Sequence, residues 1–263
     1  MTELPEVVRR FLDTEVSRRL SVLALDYDGT LAPFHVERDQ AVLPPRTRVL
    51  IDALAQEPRT RLVIVSGRPV DELARVGAFG PSVELWGAHG WEHVDAAGQL
   101  ERFEVDSEIA TVIVGEFERL TREVDTQRLE RKHASIAVHW RGLDEIEASA
   151  LETTVRGQWQ QLAALHPLQV RGFDGGVELR VAGRDKGSVM HGLLADTALP
   201  LLYSGDDDTD EDAFRELVGH EHALSIRVAD EQYEGTTAAA VTMPHNALLD
   251  VLDSWLEATR RAR

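Results

Sequence analysis

The sequence predicts an α/β fold: a doubly wound, mostly parallel, Rossmann-like sheet carrying an inserted α+β domain. Two observations predict it. Short apolar runs at Val22–Leu25, Leu62–Val65, Val83–Trp86, Leu199–Tyr203 and Ala223–Val228 alternate with segments of helical period, the rhythm of βαβ units. Between residues 105 and 181 that rhythm gives way to helix, strand, helix and hairpin. The expected division is therefore a core domain of residues 1–104 and 182–263, and an inserted domain of residues 105–181.

Each element has its own signal. Val7, Val8, Phe11, Leu12 and Val16 fall on one side of a helix over residues 4–20. Pro44-Pro45 opens a helix through Val49, Leu50, Ala53 and Leu54, with proline at the start, where its missing N–H costs nothing. A short helix follows from Pro69 to Arg75. In the insert, Ile109, Val112, Ile113 and Phe117 line a helix over 106–124, and Leu151, Val155, Trp159 and Leu162 line one over Asp144–Leu165. Ser135–Trp140 alternates like a half-exposed strand. Phe173-Asp174-Gly175-Gly176 reads as the turn between strands Leu168–Arg171 and Val177–Val181. Helices over Lys186–Leu194, Asp210–Val218 and Pro244–Arg260 complete the core.

Composition narrows the classes. The formal charge is −18, which opposes nucleic acid and anionic membranes; neither is an expected partner. There is no cysteine, so disulfides, thiolate nucleophiles and cysteine-based zinc sites are excluded. The acidic start Met-Thr-Glu-Leu-Pro-Glu has no apolar stretch, and no apolar run approaches membrane-spanning length. The expectation is a cytoplasmic monomer. Lys132 and Lys186 are the only lysines among many arginines; a compact ammonium does what a guanidinium fork cannot.

Four clusters sit at the ends of core strands or beside them: Asp26-Tyr27-Asp28-Gly29-Thr30, Ser66-Gly67-Arg68, Lys186, and Gly205-Asp206-Asp207-Asp208-Thr209-Asp210-Glu211. In doubly wound sheets ligands bind along that edge. Together the clusters compose a phosphoryl-transfer site. Asp26 can attack phosphorus and form an aspartyl phosphate. Asp28 can protonate the leaving oxygen and then activate water. Ser66, Arg68, Thr30 and the backbone around Asp28, Gly29 and Gly67 can bind phosphate oxygens, and Lys186 can neutralise them. Asp206 with Asp26 and the backbone carbonyl of Asp28 forms a hard oxygen shell for Mg²⁺, with Asp207 and Asp210 as further acids. An EF-hand loop starting at Asp206 fits poorly: Glu211 stands where glycine is required, and Leu217 where the bidentate glutamate belongs.

These motifs resemble the four motifs of the haloacid dehalogenase superfamily. Asp26-Tyr-Asp-Gly-Thr-Leu-Ala-Pro, Gly87-Ala-His-Gly90 and Gly205-Asp-Asp-Asp-Thr-Asp-Glu-Asp-Ala-Phe214 resemble the trehalose-6-phosphate phosphatases within it. The resemblance implies a haloacid dehalogenase type core with an α+β cap, and Mg²⁺-dependent hydrolysis of a sugar phosphate, trehalose 6-phosphate. A separate trehalose-6-phosphate synthase chain is the implied functional partner. Glu130, Lys132, Ser135, His139 and Arg141 resemble that family's cap strand, and Glu178 with Arg180 the end of its cap hairpin; the family uses such positions to hold the disaccharide. Trp140 and Val181 depart from the family's usual tyrosine and proline. His89 has two readings, lining the sugar site or fixing a strand-end turn. The cap is expected to act as a lid hinged near Glu104–Asp106 and Val181–Arg184. Sucrose 6-phosphate or a glycosyl phosphoglycerate is the alternative substrate, and a non-catalytic sugar-phosphate sensor the alternative class.

Overall fold

The central strand β1 (Ser21–Asp26) is buried along its whole length, and apolar Val22, Leu23, Ala24 and Leu25 serve both of its faces. The structure is a computed structural model describing residues 4–35, 38–173, 175–196, 198–229 and 235–261. Residues 1–3 of the acidic start and Asp174 of the expected hairpin turn lie outside the described residues.

In chain order, α1 (Glu6–Phe11) runs into a π-helical turn over Leu12–Val16 and leads to β1. There follow α2 (Pro45–Ala55), β2 (Thr60–Val65), α3 (Val70–Gly77), β3 (Glu84–Gly87), β4 (Glu92–Val94) and β5 (Leu100–Arg102). The insert holds α4 (Ser107–Glu123), β6 (Leu129–Arg131), β7 (Ser135–His139), α5 (Glu145–Leu165), β8 (Leu168–Phe173) and β9 (Gly176–Val181). The chain closes with α6 (Lys186–Asp196), β10 (Leu201–Gly205), α7 (Glu211–Leu217), β11 (Ala223–Val228), β12 (Val241–Met243) and α8 (His245–Arg261). By contacts the chain forms two compact units, Met1–Glu101 with Asp185–Arg263, and Arg102–Arg184.

The first unit carries the sheet ordered β12-β11-β10-β1-β2-β3-β4-β5. Strands β12 through β3 pair in parallel, and β4 turns back antiparallel against β3. From β1 the chain steps outward one way to β2 and β3, and from β10 the other way to β11 and β12. The topological switch point therefore lies between β1 and β10, which is where such sheets open a crevice at the carboxyl ends. Leu23, Leu25, Leu62 and Ile64 face one apolar layer with Val8, Leu50 and Trp255. Val22, Ala24, Val63 and Val65 face the other, with Val189, Met190 and Phe214. The alternation of a two-residue period assigns each side chain to its layer.

The second unit is a four-stranded sheet ordered β6-β7-β9-β8, antiparallel throughout. Strand β7 is not the half-exposed strand its alternation suggests: Ser135, Ile136, Ala137 and Val138 are all buried. It is an interior strand between β6 and β9, and its Ser135 hydroxyl donates to the buried Glu178 of β9. Strands β4, β5 and β12 carry no readable period, being three residues each.

Trp159 anchors the second unit. It is fully buried, and its indole N–H donates to Glu116 Oε1 at 2.7 Å. Replacing it with alanine should lower the unfolding free energy by about 3–5 kcal/mol, as read by urea denaturation followed by circular dichroism. A loss below about 1 kcal/mol would show that the unit does not depend on this side chain.

Candidate active site

Asp26 ends β1 at the switch point, beside Val65 of β2. Its Oδ1 accepts a hydrogen bond from Lys186 Nζ at 2.7 Å. Lys186 is the first residue of α6 and is buried. Its ammonium makes a second bond of 2.7 Å to Asp210 Oδ1. Asp210 is wholly buried; the Tyr203 hydroxyl donates to the same Oδ1. Its Oδ2 accepts the backbone N–H groups of Asp206 and Asp207, both at 3.0 Å. Four donors thus occupy the four acceptor positions of one carboxylate.

Two glycines make this arrangement possible. A Cβ on Gly205 would stand 2.2 Å from Asp210 Cγ, so only glycine lets that carboxylate fold under the end of β10. Gly29 has φ of 83°, a conformation that suits glycine. A Cβ there would stand 2.1 Å from Asp206 Oδ2 and 2.6 Å from the Phe34 ring. Thr30 Oγ1 completes the contact between the loops, donating to Asp206 Oδ1 at 3.0 Å.

Carboxylate oxygens of Asp26, Asp206 and Asp210 lie within 4.8 Å of one another. Lys186 supplies one positive charge to three carboxyls. Burial pushes Asp26 well above the ordinary carboxylate range, while the Lys186 ammonium pulls it down and Asp210 and Asp206 push it up. Burial and the charges of Asp210 and Asp207 push Asp206 up to about 8. Burial disfavours the Lys186 ammonium, but the charges of Asp210 and Asp26 raise it well above its usual value. It therefore stays an ammonium. The cluster is short of positive charge, and its oxygens are hard donors of the kind Mg²⁺ takes.

Two sequence-based metal candidates stand outside this cluster. Asp28 directs its carboxylate to Arg68, Oδ2 to Nε at 2.7 Å and Oδ1 to the terminal nitrogen at 2.6 Å. Asp207 Oδ1 accepts from the backbone N–H and hydroxyl of Thr209 at 2.8 and 2.7 Å. Those bonds and Lys186 hold its carboxyl far below the ordinary range despite burial. Arg68 also departs from its phosphate-binding expectation: its guanidinium is clamped between Asp28 and Glu72. The fork geometry of arginine matches a carboxylate in two parallel bonds.

Ser66 is buried at the end of β2; its Oγ accepts the Arg68 N–H at 3.2 Å. The loop after β3 is bonded onto it: His89 N–H to the Ser66 carbonyl at 3.0 Å and Ala88 N–H to the Arg68 carbonyl at 2.7 Å. Ala88 and His89 both adopt positive φ, 47° and 56°, which costs non-glycine residues energy and marks an overdetermined turn. The His89 ring covers Gly67, where a Cβ would stand 2.5 Å from it. This is the geometry that the turn-fixing reading of His89 describes.

In the second unit Glu178, buried in β9, accepts from Lys132 Nζ at 2.9 Å, Ser135 Oγ at 2.7 Å and Arg180 Nε at 2.6 Å. Glu130 lies 3.7 Å from Lys132 and 3.1 Å from His139 Nε2. These six residues form one connected polar network on adjoining strands. The Arg141 side chain lies over Gly175 at the hairpin end.

Three participants escape a motif reading. Tyr203 interrupts the apolar strand Leu201-Leu202-Tyr203, which is the signal that could have found it. Glu72 stands one helical turn after Arg68, a spacing that brings opposite charges together. Glu92, buried, caps α3 by accepting the Val70 N–H at 2.8 Å; nothing local announces it.

Comparison with known proteins gives these residues a context. The family model of trehalose-phosphatase matches residues 24–246. Trehalose 6-phosphate phosphatase RA3 of Zea mays is 29% identical over 251 residues, covering 85% of this chain and 66% of that protein. A bifunctional trehalose-6-phosphate synthase/phosphatase of Thermoproteus tenax is 31% identical over 217 residues, covering 81% of this chain and 29% of that protein. The chain thus spans just under two-thirds of the maize relative and less than a third of the archaeal one. The C-terminal domain of trehalose-6-phosphate phosphatase from C. albicans superposes with a TM-score of 0.81 at 21% identity, covering 98% of each chain, so the two share a fold. With a match that runs from β1 to the start of α8 and takes in all four clusters, the chain belongs to the trehalose-phosphatase family.

Proposed function

We propose that this protein is a phosphatase that hydrolyses trehalose 6-phosphate to trehalose and phosphate through an aspartyl-phosphate intermediate, and that it uses Mg²⁺. The observation that carries the reading is the Lys186 bridge between Asp26 and Asp210 at the switch point, in a chain of this family.

Asp26 is the nucleophile. Lys186 holds its Oδ1, which leaves Oδ2 to attack phosphorus in line. Asp28 is the acid that protonates the departing 6-oxygen and the base that then takes a proton from water. Arg68 aims that carboxylate with two bonds, and Glu72 holds Arg68 in turn. Ser66, Thr30, Lys186 and the N–H groups of Gly29 and Gly67 bind the phosphoryl oxygens. Asp26 and Asp206, with the backbone carbonyl of Asp28, would hold Mg²⁺. When bound, the ion offsets charge on the phosphoryl oxygens. The saturated Asp210 acts on this centre from behind rather than as a ligand.

The inserted unit supplies sugar recognition. A disaccharide offers many hydroxyls, and the network around Glu178 presents ammonium, guanidinium, hydroxyl, imidazole and carboxylate groups already held by one another. Preformed polar contacts of this kind lower the cost of ordering the site on binding. Coupling to a trehalose-6-phosphate synthase is part of the proposal. A cytoplasmic site of action is part of the proposal; among the described residues no helix is long and apolar enough to cross a membrane.

Three outcomes test the reading, two by phosphate release from a panel of sugar phosphates with and without Mg²⁺ and one by thermal stability. Asp26→Asn should cut turnover about a thousandfold or more with the fold intact; retained activity would remove Asp26 as nucleophile. Lys132→Ala and Glu178→Ala should each cost about tenfold or more in kcat/KM for trehalose 6-phosphate but little for a small aryl phosphate. Equal losses on both substrates would sink the role of the insert. The third outcome concerns pH. Asp206 has its carboxyl raised from 3.8 to about 8 by folding, so it favours the folded state below the lower value and loses that contribution as pH rises through the upper one. Metal-free protein should therefore lose thermal stability between about pH 4 and pH 8, with added Mg²⁺ restoring more of it at pH 8 than at pH 6. A Mg²⁺ shift that is the same at both values would contradict Asp206 as a ligand.

A further inference from the structure

Tyr203 lies in the middle of β10, fully buried, beside Ala24 of β1 and Ser225 of β11. The Phe214 ring packs edge-on against it, with centroids 5.8 Å apart and planes at 61°. Phenylalanine would fill this place in the apolar layer equally well. A hydroxyl in such surroundings is unfavourable unless it is bonded, and this one is bonded to Asp210 Oδ1. That oxygen is the one that also receives Lys186 Nζ, while Asp210 Oδ2 gathers the backbone of Asp206 and Asp207.

We infer that Tyr203 is a positioning residue: acting through Asp210, its hydroxyl fixes the Lys186 ammonium against Asp26 and the backbone turn that presents Asp206. The inference rests on the proposed reading of Asp26 and Lys186 as the phosphoryl-transfer centre. Without the hydroxyl, Lys186 is the one remaining side-chain donor on Asp210 Oδ1. The carboxylate is then fixed only through Oδ2, by the N–H groups of Asp206 and Asp207, and Oδ1, which sets the spacing of Lys186 from Asp26, is no longer held from behind. Groups that orient a reacting centre from its outer shell are typically worth 10–100-fold in activity.

The test is Tyr203→Phe in the full chain, with trehalose 6-phosphate and Mg²⁺. The expected result is a fall in kcat of about 10–100-fold, with a smaller change in KM and an unchanged circular dichroism spectrum. In an Asp210→Ala background the same substitution should cost nothing further, because coupled residues are not additive; single-turnover phosphate release reads this. Ser204→Ala is the matched control. It removes a wholly buried neighbouring hydroxyl that lies outside the Asp210 network, and it should leave kcat unchanged. Should Tyr203→Phe fail to fold, Phe214→Leu keeps the hydroxyl but unlocks its ring, and a kcat loss that vanishes in the Asp210→Ala background supports the same role. Tyr203→Phe with kcat within twofold of wild type overturns the inference, as does an equal loss with and without Asp210. Wild-type protein that releases no phosphate overturns instead the reading of the site.

Discussion

An ammonium group taken out of water survives as a cation only where carboxylates surround it, and a carboxylate taken out of water survives only where cations or N–H groups do. Lys186 and Asp210 meet both conditions for each other. Their contact joins the start of α6 to the residue that precedes α7, and through Asp26 it joins both to β1. Removing either member would leave the other's charge buried without its partner, a change that commonly costs about 3–5 kcal/mol. The parallel sheet brings the ends of β1 and β10 together, and this contact determines which side chains can face one another there.

The neighbouring carboxylates divide the labour because their surroundings differ. Asp28 is taken by a guanidinium, Asp207 by its own turn, Asp210 by four donors, and Asp206, buried beside Asp210 and Asp207, has its carboxyl pushed up to about 8. Chemically identical side chains a few residues apart thereby acquire different partners, and the proton-carrier role proposed for Asp28 and the metal-ligand role proposed for Asp206 rest on that difference. Position along the chain does not distinguish these roles; the donor that reaches each carboxylate does.

How much of this was legible follows from the same point. The layered α/β core could be read from runs such as Leu62–Val65, because a strand buried on both faces must be apolar throughout. Asp26, Asp206 and Lys186 could be placed at one edge, because each directly ends or begins such an element. Strands β4, β5 and β12 could not be read, since three residues hold too little of a period. Nor could the pairing of Arg68 with Asp28, forty residues apart, or of Tyr203 with Asp210, where a tyrosine in an apolar strand looks like packing. The burial of β7 also depended on partners, because Ser135 is covered only once Glu178 from a distant strand lies beside it.

The two lysines carry a last consequence. Lys132 and Lys186 are the only side-chain amines in the sequence, and with 7% and 3% of their side chains exposed both are committed to ion pairs. The outer surface therefore presents arginine as its cation and withholds lysine. Amine-directed acylating reagents, cross-linkers and acetyl donors find no lysine target on the exterior, so any lysine they do modify reports an opening of the Glu178 network or of the Asp26 pocket. The protein carries its own built-in probe of local unfolding at the two places where chemistry is expected.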